Sequence, residues 1–189
     1  MKRIVLTGGP GSGKTVLTSR LAAMHPERFV RVPEAATQVY DMLQTRWDRL
    51  DEAGRRDVQR QIYRLQVEQE TTVAKMNPGR VLLLDRGTID GATYWPDGPE
   101  GYWADLGTSL EQELARYDVV IWMQTSAVLG LYDGDASNSC RFEDAEAAVA
   151  AGNRLVVLWG NHRRLIRVEA YPTLDEKFAI VEQTLHALI

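Results

Sequence analysis

The run LTGGPGSGKTVL, Leu6 to Leu17, limits what this chain can fold into more than any other stretch. Four glycines fall between positions 8 and 13, and a lysine and a threonine follow at once. Such a segment carries no bulk to fill a core, and glycine weakens helix and strand alike. What it can do is let backbone N–H groups converge on an anion, with no side chain in the way. Gly8-x-x-x-x-Gly13-Lys14-Thr15 is the spacing of a phosphate-binding loop. Its flanks agree with that reading. Arg3 to Thr7 is a short apolar run that suits a buried parallel strand, and Thr15 to Met24 reads as a helix closed before Pro26. The start of that helix adds a partial positive charge. Gly8, Gly9, Pro10, Gly11, Ser12 and Gly13 are therefore expected to cradle the phosphates of ATP or GTP. Lys14 is expected on the β- and γ-phosphates, and the Thr15 hydroxyl on Mg²⁺.

Strand-like and helix-like segments alternate along the rest of the chain. RFVRVP (28–33), RVLLLD (80–85), DVVIWM (118–123) and LIRV (165–168) read as strands. Helices are expected over 34–50 and 56–76, in a short stretch ending near Tyr117, over 143–159, and from the capping box Thr173/Glu176 to the end. In the second of these, Val58, Ile62, Leu65, Thr72, Val73 and Met76 keep helical spacing, and Thr108/Glu111 reads as a capping box for the short one. This alternation predicts an α/β three-layer P-loop NTPase fold of the nucleoside- or nucleotide-kinase type. Its centre would be a five-stranded parallel sheet with helices on both faces, in a single domain over 1–189.

That fold puts the ends of strands at one edge, where ligands bind. Asp85 closes the strand Val81 to Leu84, so it is the candidate metal carboxylate alongside Thr15. A plain surface Asp-Arg pair is the bland alternative. Glu34 follows the second strand and could accept a proton from a hydroxyl, or could simply open the next helix. TYWPDGPEGYWADLG, Thr93 to Gly107, suits neither helix nor strand. Its Tyr94, Trp95 and Trp103 either cover a bound molecule or pin a loop to the body. Arg163, Arg164 and Arg167 read as a solvated basic face.

Net charge is −4, which speaks against a nucleic-acid surface. Cys140 is the lone cysteine, so no intrachain disulfide can form. No run approaches the ~20 apolar residues of a membrane span. With no signal peptide in the N-terminal run, a cytoplasmic setting is expected.

IVLTGGPGSGKT, VPEAAT, LLLDRGTIDGATYW, RYDVVIWM and NSCRFEDAEAA, in that order, resemble the AAA-type P-loop family. That family includes the ribosylnicotinamide kinase domain of the bacterial NAD-biosynthesis regulator and an animal protein that binds GTP and phosphatidic acid. Asp85-Arg86-Gly87-x-x-Asp90 and Asn138-x-x-Arg141-x-Glu143 are the more telling matches. The resemblance implies a kinase-like domain with nucleoside triphosphate and Mg²⁺ as ligands. It also implies a mobile lid around 132–145 from which Arg141 reaches the phosphates. The expected activity is transfer of the γ-phosphoryl group to a hydroxyl of a small molecule, with nucleoside-like molecules among the candidates. Lys14, Glu34, Asp85, Arg86 and Arg141 would be catalytic, with either Glu34 or Asp85 taking the acceptor's proton, and Glu34, Arg86, Asp90, Tyr94, Trp95 and Trp103 would hold the acceptor. A nucleotide-dependent switch and a slow NTPase stay open as alternatives.

Overall fold

A computed structural model describes residues 1–132 and 144–188. Strands β1 (Arg3–Thr7), β2 (Phe29–Val32), β3 (Val81–Asp85), β4 (Val119–Met123) and β5 (Leu165–Val168) form one sheet in the order β2-β3-β1-β4-β5. Every pairing is parallel. The helices are α1 (Lys14–Met24), α2 (Ala35–Leu43), α3 (Glu52–Met76), α4 (Pro99–Leu106), α5 (Leu110–Leu114), α6 (Ala145–Leu158) and α7 (Leu174–Leu188). This is the α/β architecture the alternating pattern predicts. No described helix is long and apolar enough to cross a membrane.

The continuous apolar strands follow from burial on both faces, since successive side chains point to opposite sides. Ile4 and Leu6 of β1, Leu83 of β3 and Ile121 of β4 pack with Leu17 and Leu21 of α1 and Phe178 and Val181 of α7. Val5, Leu82, Leu84 and Val120 face the other way, against Ile89, Tyr102, Leu155 and Trp159. Each fully buried side chain of this size contributes about 1.5–3 kcal/mol.

The strand order fixes where a ligand can sit. After β1 the chain moves to the far edge at β2, returns to β3, then passes β1 to β4. The order reverses beside β1, and that opens a crevice at the carboxyl edge. The loop from Gly8 leaves β1 there. Register places Asp85 opposite Leu6, two residues before that loop begins.

Several boundaries differ from the sequence reading. The helix expected over 34–50 stops at Leu43, because Gln44 takes a left-handed φ of 50°. A short 3-10 turn, Trp47–Arg49, follows, and α3 begins at Glu52 with Asp51 as its cap. The buried face of α3 runs through Val58, Gln59, Gln66 and Glu70, while Met76 is exposed. α5 is capped by Ser109 rather than Thr108, whose hydroxyl bonds Gln112 and Glu113. The segment expected to be an aromatic loop contains α4, with Pro99 in its first turn. The capping box Thr173/Glu176 is present, each residue bonding the other's backbone N–H.

Candidate active site

Close backbone packing explains the first two glycines. A Cβ on Gly8, whose φ is 144°, would lie 2.2 Å from the Met123 carbonyl oxygen. One on Gly9 would lie 2.3 Å from that of Ala148, where α6 crosses the loop. The loop carbonyls are held by side chains. Lys14 Nζ donates to Gly8 O at 2.8 Å and Gly9 O at 3.0 Å. Thr125 Oγ1 donates to Pro10 O at 2.5 Å, Ser126 Oγ to Gly11 O at 3.1 Å, and Lys177 Nζ to Ser12 O at 3.1 Å. In a trans peptide the N–H lies opposite the C=O. The Ser12 N–H is taken by Gly9 O at 3.3 Å, but with the Pro10 and Ser12 carbonyls held by Thr125 and Lys177 the Gly11 and Gly13 N–H groups point the opposite way, as an anion nest requires.

Lys14 is buried, and burial together with the charge of Arg86 pushes its ammonium down to about 7. Glu34, Asp85 and Asp90 pull the other way. These carboxylates meet Lys14 because β2 and β3 end at the same edge as β1.

Asp85 is fully buried. Arg31 of β2 donates to its Oδ2 at 2.9 Å. Among the described residues its Oδ1 has no hydrogen-bond partner. Burial, then the nearby Glu34 carboxylate, raises its pKa, and Lys14, Arg31 and the Thr15 hydroxyl oppose that. A buried, unpartnered carboxylate oxygen beside a threonine hydroxyl is a hard oxygen set that suits Mg²⁺.

Glu34 stands at the N-terminus of α2. Thr37 Oγ1 donates to it at 2.9 Å, and Arg86 forms a short ion pair with it. Burial alone would raise the carboxyl, but Arg86 and Lys14 outweigh burial and hold it below its usual range. It is thus ionised and able to accept a proton. Arg86 reaches Glu34 from an unusual backbone, with φ at 76°. Its other nitrogen bonds Asp90 at 3.2 Å. Asp90 also accepts from Thr7 Oγ1 at 2.9 Å and Trp159 Nε1 at 2.8 Å. Although Asp90 lines the cleft, its bonded partners make it the brace of Arg86.

Beyond Glu34 opens a cleft that is partly exposed to solvent. Glu34, Arg86 and Asp90 form its end nearest the loop, and Tyr40, Trp47, Tyr63, Tyr94 and Tyr102 supply rings. Two amides, Gln59 and Gln66 of α3, complete it. Gln66 Nε2 donates to Glu70 Oε1 at 3.1 Å and to the Arg86 carbonyl at 3.4 Å, which fixes which way that amide points. Burial and the Glu113 carboxylate push the Tyr63 phenol up to about 12, so it stays protonated.

Of the expected site residues, Lys14, Glu34, Asp85, Arg86 and Asp90 converge, and Tyr94 lines the cleft. Trp95 and Trp103 do not line it. Each is 5% exposed and packs in the core with Tyr102 and Leu84, so the pinning alternative describes them. In a helix, Tyr102 and Trp103 point to different sides, and it is Tyr102 that faces the cleft. Asn138, Arg141 and Glu143, and the lid around 132–145 for its stretch 133–143, lie outside the described residues. The sequence reading missed Arg31, Gln59, Gln66 and Lys177. The signal was present for the last three, each a polar residue on the inward stripe of its helix.

The family model for an AAA domain matches residues 3–172. The chain belongs to that family. No curated protein matches its sequence. Among solved structures, NadR protein in complex with NAD and AMP-PNP superposes with a TM-score of 0.62 at 15% identity. The match covers 98% of this chain and 49% of that one, so this chain spans about half of NadR. Deoxyadenosine kinase from M. mycoides, with products dCMP and dCDP bound, gives a TM-score of 0.64 at 11% identity over 98% and 99% of the two chains. At these identities the likeness establishes a shared fold. It agrees with the AAA-type P-loop resemblance carried by the motifs.

Proposed function

We propose that this chain transfers the γ-phosphoryl group of ATP or GTP to a hydroxyl of a small, nucleoside-like molecule held in the aromatic cleft. The observation that carries this reading is the position of Glu34. An ionised carboxylate near the loop lysine lines a cleft whose aromatic rings suit an organic acceptor. Water as acceptor would need no such cleft. The nucleotides bound by the two structural neighbours are in keeping with the assignment.

In the reaction, Glu34 takes the proton from the acceptor hydroxyl as its oxygen bonds to the γ-phosphorus. The bond from that phosphorus to the β-γ bridging oxygen breaks, and negative charge passes to the departing diphosphate. Lys14 and Arg86 lie where they can offset charge on the moving group. Arg141 would add to them from the segment after Tyr132. Thr15 and Asp85 would hold Mg²⁺, directly or through water, and the ion would neutralise β- and γ-phosphate charge. Asp90 keeps Arg86 aimed at Glu34.

A thermal-shift screen tests the reading. Nucleosides, vitamins and sugars are added with Mg²⁺ and AMP-PNP, since a ligand of the folded state raises apparent stability. At least one acceptor is expected to raise Tm beyond AMP-PNP alone, and Tyr94→Ala is expected to abolish that increment. Stabilisation by AMP-PNP with no acceptor increment anywhere would favour a switch or hydrolase.

A further inference from the structure

Lys177 is a lysine in the wrong place for a surface charge. It lies on α7 beside Phe178 and one turn from Val181, which pack against the sheet, and is 3% exposed. Among the described residues no carboxylate pairs with it. Its ammonium instead donates to two backbone carbonyls, Ser12 O at 3.1 Å and Gln124 O at 2.7 Å. A buried cation without a carboxylate is costly, and a leucine would have completed the stripe. Burial accordingly lowers the lysine to about 8.

We propose that Lys177 is a positioning residue of the nucleotide site: it holds the Ser12–Gly13 peptide with its N–H turned into the cradle, and sets a buried positive charge behind the loop. This rests on reading the loop as a nucleotide site. The Ser12 carbonyl points to Nζ, so the Gly13 N–H points the opposite way. Gly13 is the cap of α1, with φ at 88°, and a peptide in that conformation has few local restraints of its own. Gln124, the residue just past β4, ends the same tether, and the next two residues, Thr125 and Ser126, hold Pro10 O and Gly11 O. The clamp thus ties the loop to α7 and to the β4 end together. Lys14 does not replace it, because Lys14 Nζ bonds Gly8 O, Gly9 O and the Ser12 hydroxyl rather than the Ser12 carbonyl. A bound triphosphate is the anion that a cation in this position lacks.

The test compares wild type, Lys177→Met and Lys177→Arg by calorimetric titration with AMP-PNP and Mg²⁺, with Tm measured alongside. Lys177→Met is expected to weaken AMP-PNP binding by roughly tenfold or more, the scale of lost charge-assisted hydrogen bonds. Lys177→Arg is expected to restore most of it. A merely structural lysine would lower Tm and leave the Kd of the folded protein alone. An AMP-PNP Kd for Lys177→Met within threefold of wild type overturns the proposal while leaving the nucleotide site standing. If Lys177→Met does not fold, Lys177→Gln takes its place under the same criterion. A wild type that does not bind AMP-PNP overturns the nucleotide site itself, and this role with it.

Discussion

Lys14 is surrounded by charges of both signs. Arg86 and burial disfavour its proton, while Glu34, Asp85 and Asp90 favour it, and the balance falls at about 7. Nucleotide phosphate adds negative charge, so the lysine pKa must be higher in the complex than in the free protein. Above pH 7 the free lysine is largely neutral, and binding then takes up a proton. AMP-PNP affinity should therefore fall as pH rises past 7, by up to ~tenfold per unit, until the pKa of the complex is reached. Calorimetry at about pH 8, in two buffers of different ionisation enthalpy, checks this. Proton uptake is expected in wild type and not in Lys14→Arg, since a guanidinium stays charged. Stability of the free protein runs the opposite way. The folded pKa lies below the ordinary 10.5, so this group adds stability as pH rises from 7 towards 10.5. Arg86, with φ at 76°, shows a second residue-level cost, on the order of 1–3 kcal/mol for a non-glycine side chain there. Glu34, Asp90 and the bond from Gln66 to its carbonyl hold it in place.

At the scale of elements, α4 matters most for what covers the cleft. Trp103 and Tyr102 are neighbours on it, with rings 5.0 Å apart, yet they serve different sides. Trp103→Ala should cost ~3–5 kcal/mol as a buried aromatic and lower Tm by on the order of 10 °C. The acceptor KM of the folded variant should stay near wild type. An unchanged Tm with a raised KM would return Trp103 to the cleft. Composition makes Thr93–Gly107 look like a loop because proline and glycine break helices. Yet Pro99 occupies a first-turn position, where its missing N–H costs nothing, and Gly107 is the left-handed C-cap. A punctuated segment can thus hold a helix between its punctuation marks. Apolar spacing reads only part of the long helix α3. Val58 is on its buried face and Ile62 lines the cleft, but Gln59, Gln66 and Glu70 share the inward side and carry no apolar signal.

For the whole molecule, what was legible in sequence is whatever the chain states locally. Gly8–Thr15 announces the cradle, the five apolar runs announce the sheet, and strand ends place Glu34 and Asp85 at one edge. Lys177, Gln66 and Trp159 join the site only through contacts far apart in sequence. Lys177 to Ser12 spans 165 positions, and Trp159 to Asp90 spans 69. Locally, Gln66 and Lys177 show only as polar residues on the inward stripe of a helix, and the chain does not state what they touch. The central claim is that these parts together move a phosphoryl group to an organic hydroxyl, with Glu34 as base. The most direct measurement follows γ-labelled ATP through the reaction with the acceptor that scores in the thermal screen. Label should appear in the acceptor with wild type. Glu34→Gln should lower that rate by ~10²–10⁴-fold, the range for loss of a general base, while AMP-PNP binding persists. Label released only as inorganic phosphate, at the same rate with and without acceptor and in both proteins, would contradict the account.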